Sequence, residues 1–438
     1  MRAIVAFVLT VMLALPARAD VDIQEVTSPG GLTAWLVEEP SIPFAAVEIR
    51  FRGGASLDAP GKRGAINLMT ALLEEGAADM DARDFIRAQE ELATTLSFDA
   101  SVDEVSVSAR FLTENRDASI ALLKAALTQP VFDPEAIERV RGQVLSGIRS
   151  DLKDPNDIAR EAFRQIAFGD HPYGSSLNGT QASVEALTRD DLVAAHKAVL
   201  ARDRVYIGAV GDITPEELGA LMDELLGDLP ATGAEMPDRI DVDIPGGITV
   251  VDFATPQSVA IFGQGGIKQD DPDYFAAVIL NHVLGGGSFE SRLMQEVREK
   301  RGLTYGVYSY LAPRDLAETY QGSVSSSNDR IAEAISVIKD EWRKAATEGL
   351  SDAEIEAAKT YITGAYPLRF DGNGPIANIL VGMQMIDLPI DYIATRNARV
   401  EAVTPEDIAR VAGELLDPDG LHFVVVGQPE GVESTAAN

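Results

Sequence analysis

VEIRFRGGASLDAPGKRGAINLMTALL, residues 47–73, alternates apolar and polar side chains, turns through Gly53-Gly54 and an Asp-x-Pro step, and then becomes apolar with helical spacing. The same order of strand, glycine pair, turn and helix recurs in VAIFGQGGIKQDDPDYFAAVILNHVLGGG, residues 259–287. At a constant offset of 212, nine positions are identical: Val47/Val259, Ile49/Ile261, Gly53/Gly265, Gly54/Gly266, Asp58/Asp270, Pro60/Pro272, Ala65/Ala277, Leu68/Leu280 and Leu72/Leu284. Further on, residues 187–212 match residues 403–428 at an offset of 216, through Thr188/Thr404, Asp191/Asp407, Leu200/Leu416, Asp203/Asp419, Val210/Val426 and Gly211/Gly427. Two copies of one unit of about 200 residues are the simplest account.

Each copy reads alike. After the first strand and helix comes a second strand, SVDEVSVSARF in the first copy and TYQGSVSS in the second. Amphipathic helices follow, such as ENRDASIALLKAALTQP and DPEAIERVRGQVLSGIRSDLKD. A helix capped by Thr188 or Thr404 then leads into a last apolar strand, VYIGAVG or HFVVVG. Strands mixed with helices on one side predict an α+β fold of two homologous two-layer sandwich domains. The domains are expected at residues 20–228 and 248–438, joined by a linker at residues 229–247 that is rich in Pro, Gly and Asp and lacks periodicity.

Residues 1–19, MRAIVAFVLTVMLALPARA, combine Arg2, an apolar run and an Ala-Arg-Ala end, the pattern of a secretory signal peptide. The mature chain is expected to start near Asp20, in a bacterial periplasm. No later apolar run approaches the ~20 residues that span a bilayer. Cysteine is absent, so no disulfide holds the exported protein together. The formal net charge is −32, or −34 without the leader's two arginines. So acidic a surface repels phosphate backbones and anionic lipid, which argues against nucleic-acid and membrane-surface roles.

With SFESRLMQEVREKRGLTYGVYSYL at residues 288–311, the strand and Gly-Gly lead-in before Gly64, and GDHPYGSSLNGT at residues 169–180, the chain resembles the pitrilysin or insulinase family of zinc metallopeptidases, the inverzincins. The likeness runs through essentially all of the mature chain, in the bacterial and mitochondrial-processing branch. In active members the first-domain helix carries H-x-x-E-H, whose two histidines bind zinc while the glutamate serves as general base. With Gly64 and Gly76 set on the motif's framing glycines, Asn67 and Ala71 stand where the histidines belong and Thr70 where the glutamate belongs. The remaining family ligand, a glutamate on a later helix, matches Gly147, 76 residues after Ala71. The only histidines are His171, His196, His282 and His422, and no two share a helical face at ligand spacing. Each reads as a structural histidine, and no metal is expected on this chain.

Active members also use a second-domain arginine and tyrosine that the resemblance places on substrate backbone and the developing oxyanion. VREKRGLTY supplies Arg298 and Tyr305 at the family's spacing of seven. Arg301 is a candidate assistant outside the motif pair. The Gly285-Gly286-Gly287 turn stands where a zinc-less processing subunit has a longer glycine-rich substrate loop. Gly286 and Gly287 are carried as substrate-side positions, and the glycines also permit a tight helix exit. The resemblance implies a zinc-less, non-catalytic subunit of a heterodimeric peptidase. Its sister would bear H-x-x-E-H and the zinc, while this chain would help bind unfolded peptides and supply Arg298 and Tyr305. A catalytically inactive scaffold like the core proteins of respiratory complexes, and a stand-alone peptide-binding chaperone, are the alternatives.

Overall fold

Alternation of apolar residues makes 44–52 a strand whose inward side chains Val47, Ile49 and Phe51 are fully buried, and that strand organises the first half. The computed structural model describes residues 22–435; the leader lies outside them. The first half contributes β1 Gln24–Thr27, β2 Thr33–Glu38, β3 Phe44–Arg52, a two-residue ladder of β4 Gly76–Ala77 with β5 Met80–Asp81, β6 Thr95–Ala100, β7 Glu104–Leu112 and β8 Val205–Gly211. The second contributes β9 Gly247–Asp252, β10 Gln257–Gly265, β11 Val307–Pro313, β12 Glu318–Ser327 and β13 His422–Gly427.

The sheet orders are β1-β2-β8-β3-β7-β6 and β11-β12-β10-β13-β9. Reversing the second and setting β1 aside gives the same arrangement twice, β2-β8-β3-β7-β6 on β9-β13-β10-β12-β11, with the one parallel pair, β2·β8 or β13·β9, in the same place. Thr188 and Thr404 both close capping boxes, with Asp191 and Asp407. The fold is thus α+β in two homologous halves, each with its own core of strand and helix residues. Between the helix ending at Leu226 and β9, the chain forms no helix or strand.

One element is shorter than its apolar pattern suggests. The run 64–77 reads as a single helix between glycines, but the helix spans only Ala65–Ala71. The chain turns at residues 72–75, and Gly76, at φ 129°, opens β4. Leu72 and Leu73 keep the apolar pattern going because both are buried in the turn.

A further layer escapes the sequence altogether. The first half's Pro155–Phe168 helix packs on the far face of the second sheet, where Ala159, Phe163 and Ala167 meet Val259, Ile261, Val424 and Val426. In return, the Asn373–Met385 helix packs on the far face of the first sheet, where Ala377, Leu380 and Met383 meet Trp35, Ala46 and Val210. Both contacts are close: a Cβ on Gly263 would lie 2.6 Å from Phe163 Cζ, and one on Gly208 would lie 2.6 Å from the Ala377 carbonyl oxygen. Burying a side chain such as Phe163 contributes about 1.5–3 kcal/mol, so each half is stabilised by a helix of the other.

Candidate functional site

The first-half corner is built from its turn outward. Asp58, in the Asp-x-Pro step, accepts hydrogen bonds from the Gly64 and Ile66 amides at 2.8 Å each, anchoring the start of the Ala65–Ala71 helix. Burial raises the Asp58 carboxyl, and the two amides and Arg63 oppose that rise. Arg63, 3.3 Å from Asp58, also donates to the carbonyls of Pro172, Ser175 and Ser176 at 2.9–3.0 Å. The 169–180 loop is thereby stapled over the helix. Gly64, at φ 93°, admits this closure, since a Cβ there would lie 2.6 Å from the Asn178 carbonyl oxygen.

The four positions that the sequence reading sets against the family's metal site follow. The Asn67 amide donates to Asn178 Oδ1 at 3.2 Å. Thr70 is buried, and its hydroxyl has no hydrogen-bond partner. Ala71 offers a methyl group, half-buried at the helix end. Gly147 lies exposed on the Pro134–Asp151 helix, which packs against the Ala65–Ala71 helix, and a Cβ there would meet nothing within 4 Å. An engaged amide, a hydroxyl, a methyl and a hydrogen do not fit zinc, which takes imidazole, thiolate or carboxylate. Among the described residues, no cluster of three or more His, Cys, Asp or Glu side chains is placed to hold a metal.

The histidines occupy structural niches. His171 Nδ1 accepts from the Tyr173 amide and Nε2 lies 3.1 Å from the Asp238 carbonyl. His196 is buried against the Leu127 carbonyl at 2.8 Å, and burial lowers its pKa. His422 sits between the Pro245 carbonyl and the Thr249 hydroxyl at 2.7 and 3.0 Å. His282 stacks on Tyr361, with ring centroids 4.9 Å apart.

The second-half corner is different. After the Tyr274–Asn281 helix the chain widens into a π-helical turn, His282–Gly286, in place of a tight exit. Gly285 packs so closely that a Cβ would lie 2.8 Å from the Ser309 amide nitrogen. A second π-helical turn, Met294–Glu299, carries Arg298. Its guanidinium lies 4.6 Å from the centroid of the Phe289 ring and 3.5 Å from Glu299. Glu296 instead takes Lys300 at 2.5 Å and Arg301 at 2.7 Å, and these bonds hold its carboxyl below the usual range. Arg301 is therefore committed to Glu296.

The Gly302 amide donates back to the Arg298 carbonyl at 2.7 Å, folding the following loop toward Arg298. Thr304 pins that loop, its hydroxyl shared between the Gly306 and Ser325 carbonyls. Tyr305 rides on the pinned loop with 86% of its surface exposed. Arg298 thus lies on the second π-helical turn and Tyr305 on the loop between that turn and β11, while Asn67, Thr70, Ala71 and Gly147 lie on two touching helices of the first half. Among the described residues, no hydrogen bond or ion pair joins the two groups. Phe289 and Thr304 were missed from the sequence; neither stands in a periodic pattern, and each matters only through a partner's position.

A cleft of about 960 Å3 lies elsewhere, between the halves. It is lined by Arg52, Arg239, Tyr274, Asp315 and Arg399 among others, and by none of the positions above. At its wall the β11–β12 turn plugs into the first half: the Leu316 amide donates to Tyr173 Oη at 3.0 Å and Asp315 lies 3.2 Å from Arg52.

A family model described as Insulinase (Peptidase family M16) matches residues 34–181, and one described as Peptidase M16 inactive domain matches residues 186–362. The chain is 25% identical over 390 residues to the "Non-peptidase homolog YmxG" of Helicobacter pylori, covering 89% of this chain and 90% of that protein. It is 28% identical over 411 residues to the "Uncharacterized zinc protease SCO5738" of Streptomyces coelicolor, covering 90% and 87%. Among solved structures, the peptidase M16 inactive domain from Pseudomonas fluorescens superposes with a TM-score of 0.86 at 26% identity, covering 94% of this chain and 99% of that one.

Proposed function

As the chain belongs to the insulinase family, peptidase family M16, and lacks the family's zinc-binding residues, we propose that it is the non-catalytic subunit of a heterodimeric peptidase. A sister subunit carrying H-x-x-E-H supplies the zinc and the general base. This chain supplies part of the wall against which unfolded peptide is held, with Gly286 and Gly287 on the substrate side. Arg298 and Tyr305 act in trans on the sister's substrate. A guanidinium and a phenol are both donors, suited to the negative charge that develops on a scissile carbonyl.

The observation that carries this reading is the contrast between the two corners. Every ligand position is chemically spent, while Tyr305 stands 86% exposed on a pinned loop with no intramolecular task. A phenol presented to solvent on such a loop is available to a group outside its own chain. Export fits the leader pattern at residues 1–19, and N-terminal sequencing of protein recovered from the periplasm should begin near Asp20.

The test is reconstitution. The sister is captured on a tagged copy of this chain, and peptide hydrolysis by the pair is measured with Arg298→Ala and Tyr305→Phe. Each change is expected to lower kcat by about 100-fold, the usual effect of losing one oxyanion donor. Hydrolysis at the wild-type rate by both variants would overturn the trans role and leave the scaffold reading.

A further inference from the structure

At about 960 Å3 the cleft between the halves falls in the size range of small-ligand sites, which favour domain interfaces. Its lining joins apolar groups such as Phe275, Met385 and Leu388 to five cations and five acids, so the cleft is neutral on a chain of net charge −32. Most of those charges are already engaged or lie at the mouth. Arg239 is tied to Glu318 and donates to the Asp315 carbonyl. Arg314 lies against the Phe168 and Tyr173 rings, and Arg399 against Tyr392. Asp271 accepts from the Asp273 amide, while Lys268 and Asp270 are exposed on the same turn.

Arg52 and Asp387 differ from these. The Arg52 guanidinium, at the end of β3, lies 5.0 Å from the centroid of the Tyr206 ring. Its Nε is 3.2 Å from Asp315 Oδ2, an ion pair in which neither atom makes a hydrogen bond. Ring and carboxylate thus steady the fork, while among the described residues Nη1 and Nη2 donate to nothing. Two parallel N–H groups on a steadied guanidinium suit a carboxylate. Asp387 follows the Asn373–Met385 helix in a Schellman turn: its amide donates to the Gln384 carbonyl, and the Leu388 amide to the Met383 carbonyl. It stands at φ 54°, where such turns ordinarily carry glycine, and its carboxylate has no hydrogen bond or ion pair among the described residues. Burial raises both the Asp315 carboxyl and the Tyr206 phenol, and on each of them Arg52 pulls down while Asp387 pushes up. Fork and carboxylate therefore flank one end of the cleft, near the same two groups, with no ion pair between them.

We propose that this end of the cleft binds a small zwitterion with an apolar side chain, the chemistry shared by a free amino acid and a dipeptide. The ligand carboxylate takes the Arg52 fork, its ammonium takes Asp387, and its side chain lies in the cleft beside Met385 and Leu388. Charge selects this class. A simple anion is repelled by a chain of net charge −32 and meets Asp387 and Asp315 on arrival; a simple cation meets Arg52. A molecule of no net charge with both signs close together satisfies the two groups at once. Peptide hydrolysis releases such molecules, and to that extent the inference rests on the proposed function, but its test needs neither a sister subunit nor turnover.

The probes are L-phenylalanine and L-alanyl-L-phenylalanine, titrated calorimetrically into the purified full chain. At least one is expected to bind at a single site with a Kd of about 1 mM or tighter, and the tighter of the two tells amino acid from dipeptide. Capping that probe as its N-acetyl or its C-amide form should weaken binding at least about tenfold, because one of the two charges is then left unpaired. Asp387→Asn, which tolerates the left-handed turn, should weaken the free probe by a similar factor and leave the N-acetyl form unchanged. Arg52→Lys keeps the charge without the fork and should act in the same way on the free probe and the C-amide form. Absence of binding by both probes, capped forms that bind as tightly as the free one, or an Asp387→Asn variant of unaltered affinity would each overturn the proposal. Asp387 is exposed on its turn, so that variant decides the matter even if Arg52→Lys does not fold. Failure of sister-dependent hydrolysis with zwitterion binding intact would fall on the proposed subunit role alone.

Discussion

The two halves of this molecule repeat one chain path and treat the corner after the first strand in opposite ways. In the first half, Asp58 and Arg63 tie the helix start to the 169–180 loop, and Asn178 occupies the Asn67 amide. In the second half the corresponding helix runs on into π-helical turns, and the corner ends in an exposed tyrosine. The closed corner serves cohesion. The open one holds the groups that reach outward. A duplicated fold can thus keep its chain path in both copies while one corner is closed by internal bonds and the other leaves a side chain exposed.

The comparison can be broken most directly at Arg63. Its guanidinium spans Asp58 and four carbonyls, those of Ala55, Pro172, Ser175 and Ser176, in a largely buried setting, so Arg63→Ala would strand a buried carboxylate. The expected loss is about 3–5 kcal/mol, read as a shift of the urea midpoint. A loss under 1 kcal/mol would mean that the first corner is not held as described. The matching change on the open side, Tyr305→Phe, should move stability by less than about 0.5 kcal/mol because the side chain is solvated.

A second test concerns the seam between the halves. Burial, and Asp103 beside it, push the Asp315 carboxyl up to about 6, against the pull of Arg52 and Arg239. A carboxyl raised in the folded state stabilises the fold while protonated, and that contribution is lost as pH rises through about 6. The wild-type protein is expected to melt at a higher temperature at pH 5 than at pH 8. Asp315→Asn should narrow the gap, and a gap of unchanged size would assign the pH dependence to another group. A stabilising change is expected at Thr70, whose buried hydroxyl has no hydrogen-bond partner among the described residues. Thr70→Val should raise stability by about 1 kcal/mol, measured by thermal unfolding, since an unsatisfied buried hydroxyl costs about that much or more. A destabilised variant would show that the hydroxyl is used.

The repeat, the α+β class, the capped helices at Thr188 and Thr404 and the closing strands were all legible, because each rests on a local pattern of caps or periodicity. That Asn67, Thr70, Ala71 and Gly147 offer no imidazole or carboxylate is likewise read from residue type alone. What stayed hidden depends on partners distant in the chain. The amphipathic pattern of residues 155–168 announces an apolar face but not that the sheet beneath it belongs to the other half. Asn178 closing on Asn67 and Phe289 lying against Arg298 are likewise set by three-dimensional neighbours. Leu72 and Leu73 misled in the other direction, since a buried turn carries the same apolar signature as one more turn of helix.

The exchange of the two crossing helices bears on how such a molecule arose. A solitary ancestral unit would have sent its helix outward while leaving the far face of its own sheet bare, and only a twin could have satisfied both. The gene fusion that joined the copies would then have recorded a swapped dimer already in existence. The two halves, produced as separate polypeptides, should reassemble on mixing, which would make the linker a natural place to divide the protein for a split reporter.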